Sequence, residues 1–199
     1  MNTLTLEEFE NYDVSKMTKQ ELIKFMHSFY RTNIRNSDNM KWNLSKWDIS
    51  HLTDTSHLFS FCSRLLSLDV SNWDMSNITN IDSMFQRCIN LKHLDLSRWN
   101  VSKVENMDEV FLGCVSLAEI EVSNWDTANV RSMKGMFKGC HWLSKLDVSK
   151  WNTSNVTYMN DMFSDCYKLV NINILFWNVQ NVENDKLKGF FNSIVEAMS

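Results

Sequence analysis

Leu68-Asp69-Val70-Ser71-Asn72-Trp73-Asp74-Met75-Ser76-Asn77-Ile78 runs on through Ile81, Met84-Phe85, Cys88 and Leu91, and the pattern then restarts at Leu94-Asp95-Leu96-Ser97. It returns as Ile120-Glu121-Val122-Ser123-Asn124-Trp125-Asp126 and as Leu146-Asp147-Val148-Ser149-Lys150-Trp151-Asn152. Trp47, Trp73, Trp99, Trp125, Trp151 and Trp177 follow one another at one constant interval, and Cys62, Cys88, Cys114, Cys140 and Cys166 keep the same interval. All five cysteines and six of the eight tryptophans are therefore repeat positions. A fixed period of this length marks stacked units, each burying its apolar side against its neighbours. Enzymes rarely distribute their chemistry in this way, so the period argues for a scaffold or binding protein.

Two hydrophobic periods alternate inside the unit. Leu94 and Leu96 alternate with polar residues, which suits a short strand with one face inward. Ile81, Met84, Phe85, Cys88 and Leu91 stand at i, i+3, i+4, i+7 and i+10, which predicts a helical return of about three turns. Glycine is scarce, at four residues, and proline is absent. The turns fall to Asp48-Ile49-Ser50, Asp74-Met75-Ser76, Asn100-Val101-Ser102 and Asn152-Thr153-Ser154. Short Asx and serine side chains can bond nearby amides there. The other use of such a ladder is calcium binding, although calcium repeats usually combine acidic ligands with glycine-rich turns.

The joint recurrence of Trp, Phe, Cys and the Asp-x-Ser-x-Trp stretch resembles the BspA-like class of leucine-rich repeat proteins. Their repeat reads roughly L-x-x-L-D-L-S-x-W-D-T-S-N-V-x-x-M-x-x-M-F-x-x-C. The resemblance covers about residues 42 to 182. It implies an α/β fold, a right-handed leucine-rich-repeat-like solenoid of about six coils, and binding of a protein partner. Members are typically bacterial surface proteins that contact host or matrix proteins, and similar repeats occur in protists and large viruses. The expected organisation is an N-terminal helical cap with a degenerate first coil over 1–41, the repeat solenoid over 42–182, and a capping helix over 183–199.

The ends supply those caps. Thr18 followed by Glu21 is a capping box, and Leu22, Phe25, Met26 and Phe29 make an apolar helical face over 18–30. Asp13-Val14-Ser15-Lys16-Met17 reads as a decayed copy of the repeat turn, with Met17 in the place of tryptophan. The interval from Met17 to Trp47 is longer than that from Trp47 to Trp73, so an insertion is expected within 31–40. At the other end Asn184 and Asp185 can cap a helix whose stripe is Leu187, Phe190, Phe191, Ile194, Val195 and Met198.

The chain has 199 residues, 44% hydrophobic, with a formal net charge of −4. It has no apolar run of transmembrane length. Met1-Asn2-Thr3-Leu4-Thr5-Leu6-Glu7-Glu8 lacks the basic and apolar regions of a secretory signal, so none is expected. The mild negative charge gives no reason to expect nucleic acid. The cysteines form no CxxC and no zinc spacing with histidine, so reduced, buried thiols are expected. Such thiols favour an intracellular or virion-associated location. No catalytic motif is present: no G-x-S-x-G, no glycine-rich phosphate loop and no H-E-x-x-H. No cofactor or metal is expected.

Two surfaces are candidates for partner binding. Asp69, Asp95, Glu121 and Asp147 lie between inward residues of successive strands and so face away from the core. Ser71, Ser97, Ser123 and Ser149 run along one flank, and Ser67, His93, Glu119, Lys145 and Asn171 along the other. The row reads either as a solubilising edge or as an acidic face for a basic partner. Beyond the return, Trp142, with His141 beside it and Tyr167 one repeat on from His141, forms a second, aromatic candidate. Glu105 and Asp108 precede Arg131 and Lys134 by one repeat, which predicts acid–base pairs between neighbouring coils. The function expected is a non-enzymatic protein–protein interaction module; the alternative is a structural subunit of a larger assembly or virion.

Overall fold

The computed structural model describes residues 4–34 and 40–198. Along the chain come α1 (Leu6–Glu10), α2 (Lys19–Asn33), β1 (Met40–Asn43), β2 (Leu65–Asp69), β3 (His93–Leu94) and α3 (Asn184–Met198). The three strands form one parallel sheet in the order β1-β2-β3. Lys41 pairs with Ser67 and Ser67 with His93; Trp42 pairs with Leu68 and Leu68 with Leu94. A second ladder of parallel bridges runs Asp54–Asn80–Asn106–Ser132–Tyr158. Along both ladders a residue pairs with its own counterpart one repeat later, so the sequence period is also the period of the backbone.

The return from Ile81 to Leu91 is not a helix. The amides of Met84, Gln86, Cys88 and Leu91 donate to carbonyls three residues back at 3.0–3.2 Å. Those of Ile81, Ser83, Phe85 and Arg87 donate to Asn106, Asp108, Val110 and Leu112 of the next repeat at 2.7–3.1 Å. An α-helix would have used these amides internally. The backbone is left-handed at Ser83 (φ 52°) and Arg87 (φ 57°), which stops any helical run. The same two columns recur as His57, Glu109, Gly135 and Asp161, and as Phe61, Gly113, Gly139 and Asp165. Successive four-residue turns bring apolar residues inward every three or four positions, as a helix does, and the spacing alone does not separate the two.

Stacking explains why the repeat keeps such constant residues. Phe59, Phe85, Phe111, Phe137 and Phe163 are fully buried, with successive ring centroids 5.4–5.9 Å apart. Trp73, Trp99, Trp125, Trp151 and Trp177 stack at 6.1–6.4 Å with rings within 4° of parallel. Each indole N–H donates to a carbonyl of the preceding repeat, Trp73 to Leu44 at 2.8 Å and Trp125 to Leu96 at 3.2 Å. The thiols of Cys88, Cys114, Cys140 and Cys166 likewise donate to the carbonyls of Phe59, Phe85, Phe111 and Phe137 at 3.0–3.1 Å. Both columns therefore fill volume and also satisfy carbonyls of the preceding repeat. Burial pushes the Cys62, Cys114 and Cys166 thiols up to about 12, and those of Cys88 and Cys140 well above their ordinary value.

Helices close both ends. Thr18 and Glu21 cap α2 reciprocally, and Thr5 and Glu8 do the same for α1. Phe9 of α1 stacks on Phe29 at 3.8 Å and meets Trp47 edge-on at 5.1 Å. On α3, Phe190 lies 5.8 Å from Trp177 and 6.2 Å from Phe163. Residues 35–39 of the segment 31–40, where an insertion is expected, lie outside the described residues, as does the side chain of Met198. Arg131 reaches Glu105 at 3.4 Å, as an acid–base pair on neighbouring repeats. Asp108 behaves differently: it accepts from the Lys134 backbone amide at 2.7 Å and from the Ser132 hydroxyl. The carboxylate thus serves the Ser132–Lys134 turn of the next repeat.

Candidate functional site

Strand alternation fixes what faces outward on the sheet side. Leu68, Val70, Leu94 and Leu96 point into the core, so Asp69 and Asp95 point away from it. Glu121 and Asp147 occupy the same position in the next two repeats and are exposed. Together with Lys41, Ser67, Lys92, His93, Glu119 and Lys145 they line a groove of about 1050 Å³. Glu10 of α1 and Trp42 of β1 close its first end.

The acids of this row also shape the backbone. Oδ1 of Asp69 accepts from the Ser71 amide at 3.1 Å and the Ser71 hydroxyl at 2.7 Å. Asp147 holds Ser149 in the same way at 3.0 and 2.7 Å. Glu121 takes the amide and hydroxyl of Ser123, and Asp95 takes the amide of Ser97. The serine column is thus the turn partner of the acid column. Hydroxyl and amide bonds from Ser97 and Ser149 hold the Asp95 and Asp147 carboxyls below the usual carboxylate range.

Asn43 performs the same task without charge. Its Oδ1 accepts from the Ser45 amide at 3.1 Å and the Ser45 hydroxyl at 2.6 Å. At the far end Asn173 accepts from the Leu175 amide at 3.2 Å. The turn therefore requires an oxygen acceptor at this position, and a neutral amide supplies one. The negative charge of the four acids is additional to what the turn uses.

The groove is mixed in charge but not balanced. Six carboxylates line it, from Glu10, Asp69, Asp95, Glu119, Glu121 and Asp147, against three lysines, Lys41, Lys92 and Lys145. Lys145 is occupied by Glu119 at 3.0 Å, and both side chains are largely exposed. His93 stands exposed on β3 between Ser67 and Glu119 of neighbouring repeats. Two groove residues had a readable signal: Lys41 lies one repeat interval before Ser67, and Lys92 adjoins His93. Glu10 arrives on α1, whose start is marked by Thr5 and Glu8, a second capping box.

The aromatic candidate is split. The His141 and Tyr167 rings meet at 4.9 Å, and the Tyr167 hydroxyl donates to Asp165 at 3.0 Å. Trp142 is 59% exposed and stands under the Lys168 ammonium at 5.6 Å. These groups form two small contacts on one flank.

Among the described residues no three His, Cys, Asp or Glu side chains converge on a common metal position. No described helix is long and apolar enough to cross a membrane.

Comparison with known families returns the one described as "Mycoplasma protein of unknown function, DUF285", matching residues 3–94, 24–120 and 90–196. The three stretches overlap, and between them they span nearly the whole chain. Comparison with curated proteins and with solved structures gave no match.

Proposed function

The chain belongs to the family described as a Mycoplasma protein of unknown function, DUF285, and we propose that it is a non-enzymatic interaction module whose strand-side groove holds a protein partner with a basic surface. In this reading the repeats form a right-handed solenoid of the BspA-like, leucine-rich-repeat kind. The partner lies along the row Asp69, Asp95, Glu121 and Asp147, flanked by Ser71, Ser97, Ser123 and Ser149, with His93 and Lys145 on the opposite side. Trp142, His141 and Tyr167 form a secondary contact.

One observation carries the reading. Asn43 closes its turn with distances that match those of Asp69, 2.6 against 2.7 Å to the serine hydroxyl. Local geometry thus leaves the charge of the row free for another role. Like charges repeated across adjacent strands are destabilising by roughly 0.2–1 kcal/mol per pair, and a basic partner would remove that repulsion. Exposed complementary charge chiefly raises the association rate and makes it salt-dependent.

The test is the double variant Asp95→Asn with Glu121→Gln, which keeps both acceptor oxygens and removes two charges. A partner recovered from the native source is titrated against wild type and variant at low and high salt. Slower association, weaker affinity and a shallower salt slope are expected for the variant, with unchanged circular dichroism. Equal affinity and equal salt dependence would reduce the row to a solubilising edge.

A further inference from the structure

The last repeat departs from the others in a way the groove does not explain. Residues 169–182, Leu-Val-Asn-Ile-Asn-Ile-Leu-Phe-Trp-Asn-Val-Gln-Asn-Val, contain no Asp, Glu, Lys, Arg or His. The matching stretch one repeat earlier carries Lys145, Asp147 and Lys150. Asn173 stands where Asp147 was, Leu175 where Ser149 was and Phe176 where Lys150 was. Leu175 and Phe176 are 79% and 80% exposed. Ile172 and Ile174 are only partly buried, whereas their counterparts Leu146 and Val148 are buried.

The exposure follows from how α3 caps the stack. Phe190 covers Trp177 and Phe163, on the aromatic side of the last repeat. On the strand side the parallel bridges among the described residues stop at Lys145. Terminal strands are normally protected by charge or by a covering element. The strand-side edge of the last repeat, which forms no strand itself, carries no charged residue and two large exposed apolar side chains.

We propose that this edge is the interface of a two-fold dimer of the chain, joined end to end through its last repeat. A two-fold contact lays a patch against its own copy, so net charge of one sign on it would be repeated across the axis. A charge-free patch, with Leu175 and Phe176 beside the half-covered Ile172 and Ile174, satisfies that condition. Head-to-tail stacking is blocked at the opposite end. There α1 and α2 close the first repeat, Phe9 packs on Trp47, and the Asn43 amide is taken by Glu10 at 2.7 Å. The contact therefore closes at two copies and does not propagate.

Sedimentation velocity from about 1 to about 100 μM, where micromolar dissociation constants are read, tests the proposal. Wild type should pass from 23.5 kDa to twice that mass. The variant Leu175→Ser with Phe176→Lys installs the residues that the preceding repeat carries at these positions. It should stay folded by circular dichroism and dimerise at least about tenfold more weakly, the equivalent of one lost apolar anchor. Asn173→Asp, which puts like charges across the axis, should weaken the dimer and respond to added salt. A wild type that stays monomeric over the whole range overturns the proposal, as does a folded double variant that dimerises like wild type. Polymers larger than two copies would also overturn it.

Discussion

Replacing Gly113 by alanine distinguishes the stacked-turn return from a helical one by the sign of a single number. Gly113 has φ +70°, and a Cβ there would stand 3.3 Å from Cγ and 3.8 Å from Cα of Arg87 in the preceding repeat. A left-handed alanine costs about 1–2 kcal/mol. Loss of glycine's freedom in the unfolded chain returns about 0.4–1 kcal/mol. The net expectation is a loss of about 1 kcal/mol, raised somewhat if the Arg87 side chain has to move aside. Were residues 107–117 a helix, the same change would stabilise by about 0.8–1 kcal/mol. Arg87 occupies the equivalent position with φ 57°, so Arg87→Gly is the mirror experiment. Relief of the left-handed side chain opposes the entropy of glycine, and the expected result lies between no change and a gain of about 1 kcal/mol. A helix would instead lose about 1 kcal/mol. Urea unfolding followed by tryptophan fluorescence measures both. Stabilisation by Gly113→Ala together with destabilisation by Arg87→Gly would refute the turn-stack account of the return.

The five thiols should resist a thiol reagent in the native state and all react in urea, since burial holds them far above their ordinary range; fast native labelling of several would contradict their placement. Trp125→Phe keeps most of the ring but strips the Leu96 carbonyl of its indole donor, and should lower stability by about 1–3 kcal/mol in urea melts. Asp95→Asn should leave the urea midpoint nearly unchanged, whereas Asp95→Ala, which removes the acceptor for the Ser97 amide, should cost about 0.5–1.5 kcal/mol. The depressed carboxyls of Asp95 and Asp147 fix a pH dependence. A folded pKa below the unfolded one gives stability that is fully present above the ordinary carboxylate value near ~3.9. That stability is lost as pH falls through the lower folded values. The joint variant Asp95→Asn with Asp147→Asn should therefore show a shallower loss of urea midpoint as pH falls below about 4.

Columns of identical residues were the most legible feature of the sequence. Phe85, Cys88 and Trp99 can be assigned to the interior because their counterparts recur at a fixed interval, and a stack gives each the same neighbours. The caps at Thr18 and Thr5 are written in local chemistry, as a hydroxyl three positions before a glutamate. The conformation of the return is not written that way. Left-handed φ falls on His57, Phe61, Ser83 and Arg87 as well as on glycines, and there the backbone amides donate to carbonyls of the next repeat. Those bonds reach almost a full repeat along the chain, as from Phe85 to Val110, so no local window contains them. The acceptor roles of the groove acids lie between these extremes. Asp-x-Ser is a known turn signal, yet at Asp69 it stands at a strand end, where alternation directs attention to the face rather than to the turn. The donor role of the cysteines has no sequence signature, since a buried thiol reads equally well as a small apolar group.

Hydrogen exchange on the protein with its partner bound tests the proposed use of the groove most directly. Added protection is expected in the strand-side segments 92–97, 118–123 and 144–149, with little change in the buried returns between them. Protection confined to residues 140–143 and 165–168, around Trp142 and Tyr167, with the strand-side segments unaltered, would contradict that use.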